Sequence, residues 1–465
     1  MRAIVIGFFL ISVTSAAHAG TDFTGWLTSE SARARDGMLA NVAPSGTAPG
    51  AVVASPSRHD PNYFYHWVRD ASLTMSAVLG LWERATDAGE KAHYEQLLID
   101  FAAFSRQNQL TPNRSGGPGE PKFLVDGSAD NEDWGRPQND GPALRATTLA
   151  RWALDLINEG RTDFVRSKLY SNKLPADSVI KVDAEYVSYH WGEASFDPWE
   201  ECSGHHFYVS MVQRRALVTV ADLAEKLGDS GAADWYRQQA HGLEGEIARH
   251  WDGSRGYLLV TLERNGGIDY KSSGLDSQVI LAILHGYAGD GFFAPTDDRV
   301  LATARHIRDT FQGLYPINGK GGAPGVAIGR YPEDRYDGAT TSGRGNPWVL
   351  ATAGFGELHY LISSELQSSG KIAITNESAR FYRSLPGGGE LTLRVGETIQ
   401  SRDPRFERIL FNLRATGDGY LAVVRAHEFP DGSLSEQINR DSGFMQSAHD
   451  LTWSYASVLT ASWAR

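Results

Sequence analysis

The 465-residue chain contains a single cysteine, Cys202, and no long apolar run beyond its first twenty residues. One cysteine excludes an intrachain disulfide, so the fold must be held by its packed core. Without a further apolar run there is no transmembrane helix, and no membrane partner is expected. Basic residues are the minority, 44 against 56 acidic ones, and the net charge of −12 argues against nucleic acid as a partner. Metal-ligand spacing is also missing. His205 and His206 are adjacent and therefore diverge, no third ligand is spaced for zinc, and neither metal nor other cofactor is expected. Cys202 has no base dyad beside it, which leaves packing as its role. Helices do not alternate with buried parallel strands, which disfavours a doubly wound or β/α-barrel fold. No Ser/Thr/Pro linker and no β-rich tail are found, and "LTWSYASVLTASWAR" reads as a helix at the end of the sequence.

The N-terminus has Arg2, an apolar run from Ala3 to Val13, and Ala17-His18-Ala19 as a cleavage pattern. This predicts a signal peptide over residues 1–19 and a secreted or periplasmic product occupying residues 20–465 as one catalytic-size domain. Apolar periodicity predicts helices near 70–88, 92–110, 141–160, 205–228, 230–252, 274–288, 295–314, 346–369 and 449–463, with weaker ones near 22–41, 160–170, 376–384 and 403–416. A strand pair is expected in "GYLLVTLERNGGIDYK", turning at Asn265-Gly266. About a dozen helices with long loops suit an all-α helical barrel of paired helices.

Twelve tryptophans and eighteen tyrosines supply flat apolar faces, most of which must serve the core. Between the helices, however, aromatic residues repeatedly stand beside Asp, Glu and Arg, as in "NYFYHWVRDASL" and "FDPWEECSGHHF". Such a mixture suits sugars: rings stack on C–H faces while charged groups bond hydroxyls. Glu200 and Glu201 of "WEEC" are neighbours, so they point about 100° apart on a helix or to opposite faces of a strand. They cannot flank one bond. Adjacent acids most often form a solvated helix start, and a catalytic role for either needs a partner elsewhere in the chain.

The stretches "VVASPSRHDPNYFYHWVRDASL", "WGRPQNDGPALRAT", "DPWEEC", "GRYPED", "GNPW" and "SEQ" followed by "DLTWSYA" carry a resemblance. In that order, from about Ala51 to Ala461, the chain resembles the glucoamylases of glycoside hydrolase family 15, exo-acting enzymes that release glucose from non-reducing ends of α-glucans. The resemblance implies an (α/α)6 barrel of six inner and six outer helices, with long loops forming a pocket at one end. It implies inverting release of β-D-glucose from α-1,4-glucans such as starch and maltodextrins, with slower α-1,6 cleavage; a monomer is expected. Glu200 then falls at the general acid and Glu436 of "SLSEQ" at the base that activates water. Asp197 matches an aspartate sometimes assigned the base role, but a residue three positions from the acid is poorly placed to act from the opposite sugar face. The resemblance places Glu201 on the leaving-group side, Arg69 and Asp70 around the terminal glucose, Tyr63 and Trp67 near the scissile bond, and Trp134 beside the acid. Arg330 matches a further sugar-binding group and Trp348 a wall residue. The chain departs from the familiar fungal pattern at Pro198, at Asn139 and in the run "CSGHH", and no starch-binding module follows. Two alternatives stay open: a same-scaffold glucosidase for isomalto-oligosaccharides, dextran or trehalose, and a secreted sugar-binding protein that has lost catalysis.

Overall fold

A computed structural model describes residues 11–319 and 325–465, with side chains from Asp22 onward; the leader expected over residues 1–19 lies outside the residues described in full. Twelve long helices form the body: α1 (Ile11–Ala40), α2 (Val68–Arg84), α3 (Ala88–Leu110), α4 (Asp140–Asn158), α5 (Val179–His190), α6 (Phe207–Lys226), α7 (Ser230–Ala248), α8 (Gln278–Gly286), α9 (Asp298–Leu314), α10 (Val349–Ser369), α11 (Pro404–His427) and α12 (Thr452–Ala464). Their contacts close a ring. Helix α2 packs on α4, α4 on α6, α6 on α8, α8 on α10, α10 on α12, and α12 back on α2. Each ring member also packs against an odd-numbered helix outside it: α3 on α2, α5 on α4, α7 on α6, α9 on α8, α11 on α10 and α1 on α12. This is an (α/α)6 barrel, with the even helices inside and the odd helices outside.

The sequence explains the two layers. Inner helix α12, "TWSYASVLTASWA", is buried from Thr452 through Leu459 because it is apolar or small on every face. Outer helix α9, "DRVLATARHIRDTFQGL", buries Val300, Leu301, Ile307 and Phe311 on one stripe and turns its arginines outward. Outer helices α3, α9 and α11 are closed by the side chains of Asp87, Asp297 and Asp403. The inner helices differ: none of the six is capped by the side chain of its N-cap residue. Those six N-termini face the same end of the barrel, and their half-dipoles favour negative charge there.

The structure differs from the sequence expectations in three places. Helix α5 was not predicted, because "VIKVDAEYVSYH" mixes β-branched and aromatic residues with a weak periodicity. Its place opposite α4 is set by tertiary packing, with Arg145 of α4 donating to both oxygens of Asp183 at 2.7 Å. The expected strand pair turning at Asn265-Gly266 is also absent. Thr261–Gly267 is one strand that pairs antiparallel with Cys202–His206, which pairs in turn with Ser195–Phe196. Gly267 is needed for this approach, since a Cβ on it (φ +79°) would stand 2.1 Å from the Glu201 carbonyl. The helix expected near 403–416 runs on to His427, the full length of α11.

Candidate active site

The three-stranded sheet is the mount for the paired glutamates. Between Ser195–Phe196 and Cys202–His206 the chain makes a tight loop whose centre is Asp197, fully buried. Its Oδ1 accepts the backbone N–H groups of Glu201 and Cys202 at 2.9 and 3.0 Å, and Lys271 Nζ lies 3.4 Å from Oδ2. Burial pushes the Asp197 carboxyl up, but Lys271, His206 and the two amides outweigh it and hold it below the ordinary aspartate value. The loop sets Glu200 at φ +66°, a left-handed conformation that costs a non-glycine residue energy and persists because its surroundings over-determine it.

From that loop Glu200 reaches a cavity of ≈ 740 Å³ at the N-terminal end of the inner helices. Glu200 Oε1 accepts from Trp67 Nε1 at 2.8 Å, Gln138 Nε2 at 3.1 Å and Arg69 Nη2 at 3.4 Å. Oε2 meets no donor among the described residues. With Oε1 taken by three donors, Oε2 is the oxygen left free of protein contacts.

Glu436 enters the same cavity from another element, the strand Ser435–Ile438, which pairs antiparallel with Met445–His449. The register breaks between Ser435 and Gln437, and Ser447 opposite takes φ +66°. Bulges of this kind re-aim side chains, and here Ser447 Oγ donates to Glu436 Oε2 at 2.6 Å. Gln437 Nε2 donates to the same oxygen at 2.9 Å, and Tyr63 OH to Oε1 at 2.9 Å. Burial pushes the Glu436 carboxyl up to about 7, against the pull of Ser447, Tyr63, Arg330 and Gln437. All three hydrogen-bonding neighbours act as donors, which suits an ionised carboxylate.

The two carboxyls are held in relation to each other by one segment. Tyr63 bonds Glu436, Trp67 bonds Glu200, and the two rings touch at 5.6 Å between centroids. Arg69, one helical residue further on, is wedged between Gln138 Oε1 (2.8 Å), Asp140 Oδ2 (3.3 Å) and Asp70 Oδ2 (3.4 Å), with Trp453 5.9 Å from its guanidinium. Burial, offset by Arg69 and reinforced by Glu200, raises Asp70 to about 6. Arg69 Nε and Asp70 Oδ2 make no hydrogen bond of good geometry and face each other, buried, as an ion pair at 3.4 Å.

The other sequence-derived residues are distributed as follows. Arg330 and Trp348 line the cavity, their rings and guanidinium 5.3 Å apart. Arg330 is clamped by Asp334 at 2.9 and 2.6 Å and donates to Glu201 Oε1 at 2.8 Å. Glu201 Oε2 accepts from Tyr331 OH at 2.6 Å, so Glu201 reaches the cavity with both oxygens already bonded to protein. Trp134 is 38% exposed at the cavity edge, with Lys122 Nζ 3.7 Å from its ring centroid and Trp67 at 6.0 Å. Asp197 does not reach the cavity. His206 lies behind the sheet on Ser195 O and Thr261 Oγ1, with burial lowering it to about 4, and burial raises the Cys202 thiol to about 11. Asn139 accepts from Tyr186 OH at 2.9 Å.

The sequence gives no role to Gln138, Asp140, Ser447 or Trp453, nor to Tyr336, which lines the cavity with its hydroxyl 3.0 Å from that of Tyr63. Gln138 and Asp140 sit inside "WGRPQNDGP" and Trp453 inside "DLTWSYA", so their motifs were legible even though their contacts were not. Ser447 has no such signal, since only the bulge brings it onto Glu436.

The profile of the glycosyl hydrolases family 15 matches residues 32–463. The glucoamylase of Blastobotrys adeninivorans is 38% identical over 455 residues, covering 96% of this chain and 72% of the relative. Glucoamylase 1 of Rhizopus oryzae is 36% identical, covering 95% of this chain and 71% of the relative. Among solved structures, the glucoamylase of Saccharomycopsis fibuligera superposes with a TM-score of 0.85 at 31% identity, over 96% of this chain and 95% of that one. A family profile matched along nearly the whole sequence, a shared barrel and an acidic, aromatic cavity at the inner helix N-termini agree: the chain belongs to the glycosyl hydrolases family 15.

Proposed function

We propose that the protein is an exo-acting, inverting glucoamylase that releases β-D-glucose from the non-reducing ends of α-1,4-glucans, with Glu200 as general acid and Glu436 as general base. The observation that carries this reading is the placement of two carboxyls from distant segments in one cavity, Glu200 bonded through Oε1 alone and Glu436 through both oxygens. Glu200 presents a free oxygen that can bear and donate a proton to the glycosidic oxygen. Glu436 is surrounded by donors that favour its ionised form, and can take a proton from a water on the other face of the sugar. Inverting enzymes hold such a pair roughly 6.5–9.5 Å apart, with the water between them.

The remaining residues bind and orient. The Arg69–Asp70 ion pair, with Trp453 beside it, lines the cavity as the floor for the terminal glucose. Arg330, fixed by Asp334 and Glu201, keeps Nη1 for a sugar hydroxyl. Tyr63, Trp67, Trp134 and Trp348 supply ring faces. Asp197 is a positioning residue that holds the acid's loop through its amides. The leader expected from the sequence of residues 1–19 supports a secreted or periplasmic enzyme; no described helix is long and apolar enough to cross a membrane.

Stereochemistry tests the pairing. Early-time proton NMR during maltotriose hydrolysis should show β-glucose first, ahead of mutarotation. Initial α-glucose would require a covalent intermediate and a nucleophile about 5–5.5 Å from the acid, and would overturn the role given to Glu436.

A further inference from the structure

A second chamber of ≈ 460 Å³ lies within the inner ring, deeper along the barrel than the first. All six inner helices line it: Ser76 comes from α2, Thr148 from α4, Arg215 from α6, His285 from α8, Glu357 from α10 and Ser457 from α12. Trp453 lines both cavities and is their common wall. The far mouth lies toward the C-terminal ends of the inner helices, where the side chains of Glu83, Arg84 and Arg151 are partly exposed.

Apart from the shared wall Trp453, the hydrolytic reaction uses nothing in this chamber, yet two of its groups are expensive to place there. Glu357 Oε2 accepts from Thr460 Oγ1 at 2.7 Å, while Oε1 meets no donor among the described residues. Burial pushes this carboxyl up to about 7, and the Thr460 bond offsets only part of it. Arg215 donates through Nη1 to the His285 carbonyl at 2.8 Å and has no carboxylate within ion-pair distance among the described residues. Burial, and then the neighbouring Arg151, lower it to about 10. An acid and a base that share a cavity without pairing are a cost to the fold alone.

We propose that this chamber binds a neutral polyol of monosaccharide size, such as D-glucose. A sugar hydroxyl both donates and accepts, so one molecule can serve Glu357 Oε1 and Arg215 together. An anion would oppose Glu357, and a cation would oppose Arg215 and Arg151. Trp453 and Trp463 add indole faces for the C–H side of a ring, and the volume lies within the range of small-molecule sites, roughly 300–1,000 Å³. The composition of tryptophan, arginine and glutamate repeats that of the first cavity.

Equilibrium dialysis of the full chain against labelled D-glucose tests this. The unaltered protein should hold two glucoses and Arg69→Ala one, because the second chamber is untouched. Glu357→Gln should weaken the glucose retained by Arg69→Ala by roughly 10-fold or more, the effect of losing a hydrogen bond to a charged group. In an otherwise unaltered chain, Glu357→Gln should leave kcat/KM on maltotriose unchanged. Thr460→Val, which removes the hydroxyl orienting Glu357, should weaken binding in the same direction and serves if Glu357→Gln does not fold. A single bound glucose that Arg69→Ala abolishes would sink the proposal, as would retained binding that neither variant weakens. If Arg69→Ala still binds two glucoses and Glu357→Gln removes one, the second chamber stands and the reading of the first cavity fails.

Discussion

Replacing Ser447 by alanine isolates the control of the proposed base. Ser447 Oγ is 2.6 Å from Glu436 Oε2, and Glu436 sits at about 7 because burial is only partly offset by its donors. A hydrogen bond to a charged group contributes roughly 1.5–3 kcal/mol, and one pKa unit corresponds to about 1.4 kcal/mol. Removing the bond should therefore raise the Glu436 carboxyl by about 1 to 2 units. The lower figure is preferred, since Ser447 Oγ also lies 3.1 Å from the Gly338 carbonyl and shares its proton. Alanine and serine tolerate the left-handed backbone at 447 about equally, so no new strain enters. The sign follows from the base being active when ionised. As pH falls through the pKa of Glu436 it protonates and activity is lost, and a higher pKa brings that loss to higher pH. The assay is kcat/KM on maltotriose from pH 4 to 9, which reports groups of the free enzyme. The acid limb should move up by about one unit. An acid limb that stays in place, or moves down, refutes either the base assignment or the donor role of Ser447.

Three further outcomes are expected. Glu200→Gln should lower kcat at least roughly 10²-fold while binding survives, because an amide keeps the shape and can still accept from Trp67; near-native turnover there, with loss in Glu201→Gln, would reverse the assignment of the pair. Arg69→Lys should cost about 1.5–3 kcal/mol in kcat/KM, since an ammonium cannot reach Gln138, Asp140 and Glu200 at once; an unaltered value places Arg69 outside the site. Glu30 is buried, with Oε1 unpartnered and burial, then Glu428, raising it to about 8. Its folded pKa exceeds its unfolded one, so its stabilising contribution is complete below about 4.5 and is lost progressively as pH rises to about 8. Glu30→Gln should then stabilise the fold by a few kcal/mol at pH 8 and little at pH 4; urea unfolding that shows equal effects at both pH values contradicts this.

The sequence by itself determined the elements and the chemistry-bearing residues. Helices such as α4, α6, α9 and α10 follow from apolar periodicity and local end signals, which depend on a few neighbours along the chain. "HWVRD" and "WEEC" set charged groups beside an indole, while the roles expected of Glu200 and of Glu436 in "SEQ" are what the family resemblance implies. What the sequence could not decide is every relation between distant segments. Helix α5 forms because Asp183 meets Arg145 and α4 offers a face, not because its own residues favour a helix. The strand Thr261–Gly267 ignores its local turn signal, because the glutamate loop offers a ladder and Gly267 lets it approach. Asp197 and Glu201 look like catalytic neighbours of Glu200, but buried amides claim the first, and Arg330 and Tyr331 the second. Only ring closure brings Glu436 into the same cavity as Glu200, and only the bulge at Ser447 sets the donors around it. Propensity and motif are local energies read along the chain; register, burial and pKa depend on which surfaces meet, and those are fixed when the barrel closes.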